Sequence, residues 1–165
     1  MNNERNTLSP LTLSPLTLSP LTLSPKMTNS RGLRNKNPLN IRHNKDLFQG
    51  EIKGKDKAFK TFISIPHGYR AAFVTLATYN KREWNTIKKI ISHWAPPNEN
   101  NTKKYIALVE KWSGIPRNKE LTLADGADYI LIVSAMSCVE NGIHENITEV
   151  QIGFNLQNKI TMNNE

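Results

Sequence analysis

The stretch Ala127-Asp-Tyr-Ile-Leu-Ile-Val-Ser-Ala-Met-Ser-Cys-Val-Glu-Asn-Gly142 decides how the rest of the chain is read. From Ala127 to Val139 the apolar residues Tyr129, Ile130, Leu131, Ile132, Val133, Ala135, Met136, Cys138 and Val139 leave almost no polar face. That is the pattern of a helix buried at the centre of a domain rather than laid on its surface. Thr122 with Asp125 resembles a capping box ahead of it, and Asn141-Gly142 is a strong stop signal. Glu140 is thereby set in the last turn of a buried helix. Apolar surroundings and the negative end of the helix dipole both disfavour its ionised form. A carboxyl raised in this way suits a general acid at neutral pH; the competing reading is a partly exposed glutamate that merely frays the helix end.

Other helices follow from spacing. Tyr69, Phe73, Leu76 and Tyr79 recur at helical period after Ser64 and Pro66, which supply a cap and a proline for the first turn, and this helix runs to about Lys81. A second places Ile87, Ile90, Ile91 and Trp94 on one stripe before Pro96 and Pro97 stop it. A third begins near Thr102, turns Tyr105, Ile106, Val109 and Trp112 inward, and ends at Gly114. Arg31 to Glu51 reads as loop with a short strand at Leu39 to Arg42, paired as a hairpin with Ala58 to Ile63. The expected fold class is mainly α (α+β): a helical domain over 27–150 with one small β-hairpin, followed by a C-terminal tail over 151–165. Residues 1–26 are set apart by a Leu-Thr-Leu-Ser-Pro repeat whose regular prolines forbid helix and central strand alike, and are expected to be disordered, with Met27 offering an internal start.

Composition narrows the function classes. With 165 residues there is room for one core. The single Cys138 excludes an internal disulfide and any cysteine-rich zinc module, and mid-helix it reads as an inert core thiol. His43, His67, His93 and His144 lack metal-ligand spacing, so no metal and no cofactor is expected. No stretch is apolar enough to span a membrane and no signal peptide opens the chain, so synthesis in the cytoplasm is expected, with a monomer as the working state. The net charge of +8 is unevenly placed: Met27 to Lys119 holds 19 Lys and Arg against 6 Asp and Glu, whereas Glu120 to Glu165 holds one Lys against 7 acids. A basic surface facing a polyanion follows, with nucleic acid, anionic glycopolymer and lipid headgroup as candidates. Nucleic acid is disfavoured by the lack of helix-turn-helix spacing, RNA-binding aromatic strings or a zinc finger.

Several uncommon strings fall in one order: Arg31-Gly-Leu-Arg-Asn-Lys-Asn-Pro-Leu-Asn-Ile-Arg42, Phe48-Gln-Gly50, Phe59 to Phe62, Gly68-Tyr-Arg-Ala-Ala72, and Trp94-Ala-Pro-Pro-Asn-Glu-Asn-Asn-Thr102 followed by Tyr105-Ile106. Over about Arg31 to Gly142 the chain resembles a family of small phage and prophage lysozyme-like proteins often labelled virion structural protein. That resemblance implies a lysozyme-like helical fold and the bacterial cell wall as target. A weaker one is to bacterial N-acetylglucosaminidases and lytic transglycosylases. Those have a buried helix ending in a catalytic Glu, then an Asn-rich strand motif, a Phe-containing strand, helices, and a Tyr-Ala-type helix start near the cleft. Here the helix ending Ser137-Cys-Val-Glu-Asn-Gly142 looks like their first piece moved to the other end, a circularly permuted order.

The resemblance implies a peptidoglycan-cleaving muramidase or lytic transglycosylase, of a kind that can travel in the virion, acting on glycan strands with Glu140 as general acid/base. Arg42 belongs to the Asn-rich motif, Asn37, Asn40 and Asn100 are expected to bond acetamido and hydroxyl groups, and Trp94 and Tyr105 to stack on or bond sugar rings. A hydrolase needs a second carboxylate or a positioned water, for which Glu51, Asp46 and Asp56 are available; a transglycosylase needs one acid/base only. The alternative is a non-catalytic virion structural protein, or a cell-wall or nucleic-acid binder, on the same scaffold.

Overall fold

The computed structural model describes residues 30–143 and 146–162, with side chains as far as 157. The proline repeat over 1–26 lies outside the described residues. In chain order the elements are α1 (Arg31–Arg34), β1 (Glu51–Ile52), β2 (Thr61–Phe62), α2 (Ile65–Lys81), α3 (Ile87–Trp94), α4 (Thr102–Ser113), α5 (Gly126–Asn141) and α6 (Ile147–Met162). The fold is mainly α with one two-stranded antiparallel sheet.

The helix boundaries have local causes. Ser64, Thr86 and Asn101 cap α2, α3 and α4 by accepting from the backbone N–H three residues on, and Pro66 occupies the first turn of α2. Apolar stripes then close over one another: Tyr69, Phe73 and Leu76 of α2, Ile87, Ile90 and Ile91 of α3, Tyr105, Ile106 and Val109 of α4, and Ile132, Val133 and Met136 of α5 form a single core with Leu39 and Phe62. The most extensive packing is α2 against α6, followed by α4 against α5.

Four sequence expectations need correction. Leu39 to Arg42 is not a strand; it makes one bridge, Arg42 to Phe59, because Asn40 takes a left-handed φ of 51° that breaks the extended run. The partner of Thr61 and Phe62 is instead Glu51–Ile52, with Glu51 opposite Phe62 and Ile52 opposite Thr61. Asp125 does bond back to Thr122, accepting its backbone N–H at 2.7 Å and its hydroxyl at 3.2 Å, but this turn closes before α5 begins at Gly126 and caps nothing inside the helix. Trp112 is 39% exposed rather than inward, and Leu131 of the central helix is 43% exposed.

The fourth concerns the tail. The boundary placed after residue 150 falls inside α6, which lies along α2. Val150 is fully buried, and Phe154 meets Phe73 edge to face at 5.1 Å. Gly153 permits this approach: a Cβ there would stand 2.5 Å from Tyr69 Cβ and 2.8 Å from the Pro66 carbonyl oxygen.

Candidate functional site

Glu140 projects from the last turn of α5 and is half-buried. Asn40 Nδ2 donates to its Oε2 at 2.9 Å, and the Tyr105 hydroxyl donates to its Oε1 at 3.1 Å. Burial pushes the Glu140 carboxyl above its ordinary range, while these two hydrogen bonds favour the ionised form and pull it part of the way back. Burial, then the neighbouring Glu140 charge, raise the Tyr105 phenol well above 10, so Tyr105 stays a neutral donor.

The loop that brings Asn40 to the helix end is built on amides. Asn37 is fully buried; its Oδ1 accepts from the Ile41 N–H at 2.9 Å, and its Nδ2 donates to the carbonyls of Ile41 and Lys60, each at 2.9 Å. Asn141, next to Glu140, donates to the Pro38 carbonyl at 2.8 Å and so ties the same loop to α5. The expectation that Asn37 reaches a sugar does not fit this placement: it lies beneath the loop with its amide engaged, and it shapes the site rather than lining it.

Above Glu140 opens a cleft of about 300 Å³ whose walls include Asn40, Arg42, Phe59, Trp94, Asn100 and Glu140. The structure thus brings Asn40, Arg42, Trp94, Asn100 and Glu140 together from three separate parts of the chain. Trp94 is braced by Tyr79, whose ring also lines the cleft and meets it at 6.2 Å and 68°. Tyr105 approaches Glu140 from the α4 side, where a second cleft begins.

The acids proposed as partners of Glu140 lie elsewhere. Glu51 pairs with the buried Lys60 at 2.8 Å and accepts from the Phe48 N–H at 3.1 Å. Asp46 offers its backbone carbonyl to Lys60 at 2.8 Å, and Asp56 is held by Arg31 at 2.7 Å and by Asn35 at 3.0 Å. None of the three lines the cleft. The carboxylate that does share it with Glu140 is Glu99, on the turn between α3 and α4, 3.4 Å from Arg42. Glu99 stands inside the Trp94 to Thr102 string that carries the resemblance, so that string was the available signal. Tyr79, which periodicity assigns to packing, and Thr75, which no sequence signal singles out, are further cleft residues.

Among the described residues no helix is long and apolar enough to cross a membrane. No family model matches the chain. Protein P5 of Pseudoalteromonas phage PM2 is 40% identical to it over 131 residues, which cover 76% of this chain and 80% of that protein. By that extent and identity, the chain belongs to the family of the phage PM2 protein P5.

Proposed function

We propose that this chain cleaves the glycan strand of bacterial peptidoglycan, as a muramidase or lytic transglycosylase, with Glu140 as general acid/base. The observation that carries the reading is a carboxyl with a raised pKa, fixed through both oxygens by neutral donors, in the wall of an open polar cleft. Protonated Glu140 gives its proton to the leaving oxygen of the glycosidic bond as the sugar C1–O bond breaks. In a transglycosylase a hydroxyl of the same sugar then bonds to C1 and returns its proton to the Glu140 carboxylate. In a hydrolase, water takes that place and a second carboxylate accepts its proton; Glu99 is the acid within the cleft for such a role. Arg42, Asn40 and Asn100 supply donors for hydroxyl and acetamido oxygens, and Trp94 an aromatic wall for a sugar ring.

On this reading the fold is lysozyme-like in a circularly permuted order, with the acid-bearing helix at the C-terminal end of the domain. Kinship with a phage protein supports it, since a phage must breach the wall at entry or exit, whether the enzyme travels in the particle or is released in the host. The excess of positive charge over residues 27–119 would draw the chain to anionic wall polymer, an attraction that weakens as salt rises. Purified protein incubated with murein tests the proposal through the masses of the soluble products. Anhydro-muropeptides identify a transglycosylase and reducing ends a hydrolase; an absence of soluble product sinks the catalytic reading in favour of a structural or binding role.

A further inference from the structure

A second cleft, of about 420 Å³, runs between α4 and α5 on the other side of Glu140. It shares Asn100 and Glu140 with the first, so the two meet at the candidate acid. Their linings differ in chemistry. The first presents amides, a guanidinium and aromatic rings. The second shares the Asn100 amide and the Glu140 carboxyl and adds the amide of Asn101, but its further walls are apolar, from Leu108, Val139 and the partly exposed Trp112, and it holds one cation, Lys104.

A glycan strand is not uniform along its length. Every second sugar carries a short peptide in which alanine methyl groups flank residues that bear free carboxylates and one side-chain amine. A cleft with apolar walls and a single ammonium group matches methyl groups next to a carboxylate better than it matches a ring of hydroxyls. We propose that the second cleft binds the acidic peptide stem of the sugar seated at Glu140, with Lys104 pairing to a stem carboxylate and Trp112, Leu108 and Val139 contacting its methyl groups. This rests on the cleavage reading only for the choice of glycan; the cleft itself is a peptide site. Stem binding would hold the sugar in register over Glu140, so stem-bearing strands are the preferred substrate and denuded strands the poorer one.

The test is calorimetric binding of a soluble disaccharide-tetrapeptide and of the same disaccharide without its peptide, using the full chain. The peptide form should bind more tightly, and Lys104→Ala should reduce that preference about tenfold, the size of one charge-assisted hydrogen bond. Lys103→Ala, an exposed neighbour outside the cleft, should keep the preference and so exclude a general effect of positive charge. Equal binding of the two ligands by the wild type, or an unchanged preference in Lys104→Ala, overturns the proposal. A chain that shows Lys104-dependent stem binding yet releases nothing from murein supports the peptide site while removing the cleavage reading, so the two fail separately.

Discussion

The sheet end of the molecule and the C-terminal end of α5 each hold carboxylates, and they treat them in opposite ways. At the sheet end Asp56 receives two bonds from Arg31, at 2.7 and 2.8 Å, and others from Asn35 and the backbone of Ala58 and Phe59. Its carboxyl is held far below the usual carboxylate range, led by the Arg31 bond. Glu51 is likewise bound to an ammonium, that of Lys60, which is 1% exposed. At the α5 end, Glu140 is bonded by an amide and a phenol, both neutral, and burial raises it. Asp56, held by a guanidinium, is locked as an anion, and both cation-paired acids serve architecture; an acid held by neutral donors can still exchange a proton at accessible pH.

The largest effect expected from breaking this contrast is at Glu140. Glu140→Gln should lower murein cleavage by about 10²–10⁴-fold, since an amide cannot protonate a leaving oxygen. It keeps the shape: the new amide oxygen accepts from Asn40, while its NH₂ donates to the Tyr105 oxygen. The folded pKa lies above the ordinary value of 4.5, so the native chain holds its proton to higher pH than the unfolded chain does. Wild type should therefore lose stability relative to Glu140→Gln as pH rises from about 4.5 through the folded pKa, and the gap should stay constant beyond it. Retention of most of the cleavage rate would reduce Glu140 to a helix-end residue.

Next in size is Glu51→Gln, which leaves the Lys60 ammonium buried with the Asp46 carbonyl but without its counter-charge. Chemical denaturation should show a loss of up to about 3 kcal/mol, with the cleavage rate per folded molecule unchanged. An equal loss of activity at constant stability would instead make Glu51 the second catalytic acid. Asp56→Asn should lower the melting temperature less than Glu51→Gln does, because Arg31 is half-exposed and can be hydrated. The sign of its pH dependence is the reverse of that at Glu140: the stabilisation is present above the ordinary 3.8 and disappears as pH falls below it, so mutant and wild type should converge in acid. The smallest effect belongs to Tyr105→Phe. It removes a donor that lowers the Glu140 pKa, so the basic limb of the pH–rate profile should move upward with the limb's shape retained. A stationary limb would separate Tyr105 from the titration of Glu140.

Much of the scaffold was legible where one residue type has one local meaning. Ser64 before Pro66, the prolines after Trp94, and Gly114 and Gly142 at helix ends each mark a boundary without help from distant contacts. The helix Ile147–Met162 was not legible because its buried stripe is thin, and Gly153, which reads as a breaker, is needed where α6 approaches α2. The pairing of Glu51–Ile52 was missed because two-residue strands have no period, and the more apolar Leu39 to Arg42 is shaped by the Asn37 side chain rather than by a ladder. For the site, Glu140 could be marked from its place at the end of an apolar helix, whereas Asn40 could be marked only through the resemblance, as a sugar contact and not as the donor to Glu140 that it is. The arrival of Glu99 in the cleft, and the burial of Asn37 beneath it, depend on tertiary contacts that no local window contains.

The hydrogen bond from Asn40 to Glu140 joins residues 100 positions apart, and the one from Tyr105 spans 35. Closing contacts of such separation is slow and comes only when the intervening helices have found their places. During synthesis Glu140 leaves the ribosome after nearly all of its surroundings, and until α5 docks its carboxyl is an ordinary solvated glutamate. The proton-holding property of this residue is thus a product of completed folding, and an unfinished or nicked chain that cannot seat α5 carries the residue without the property.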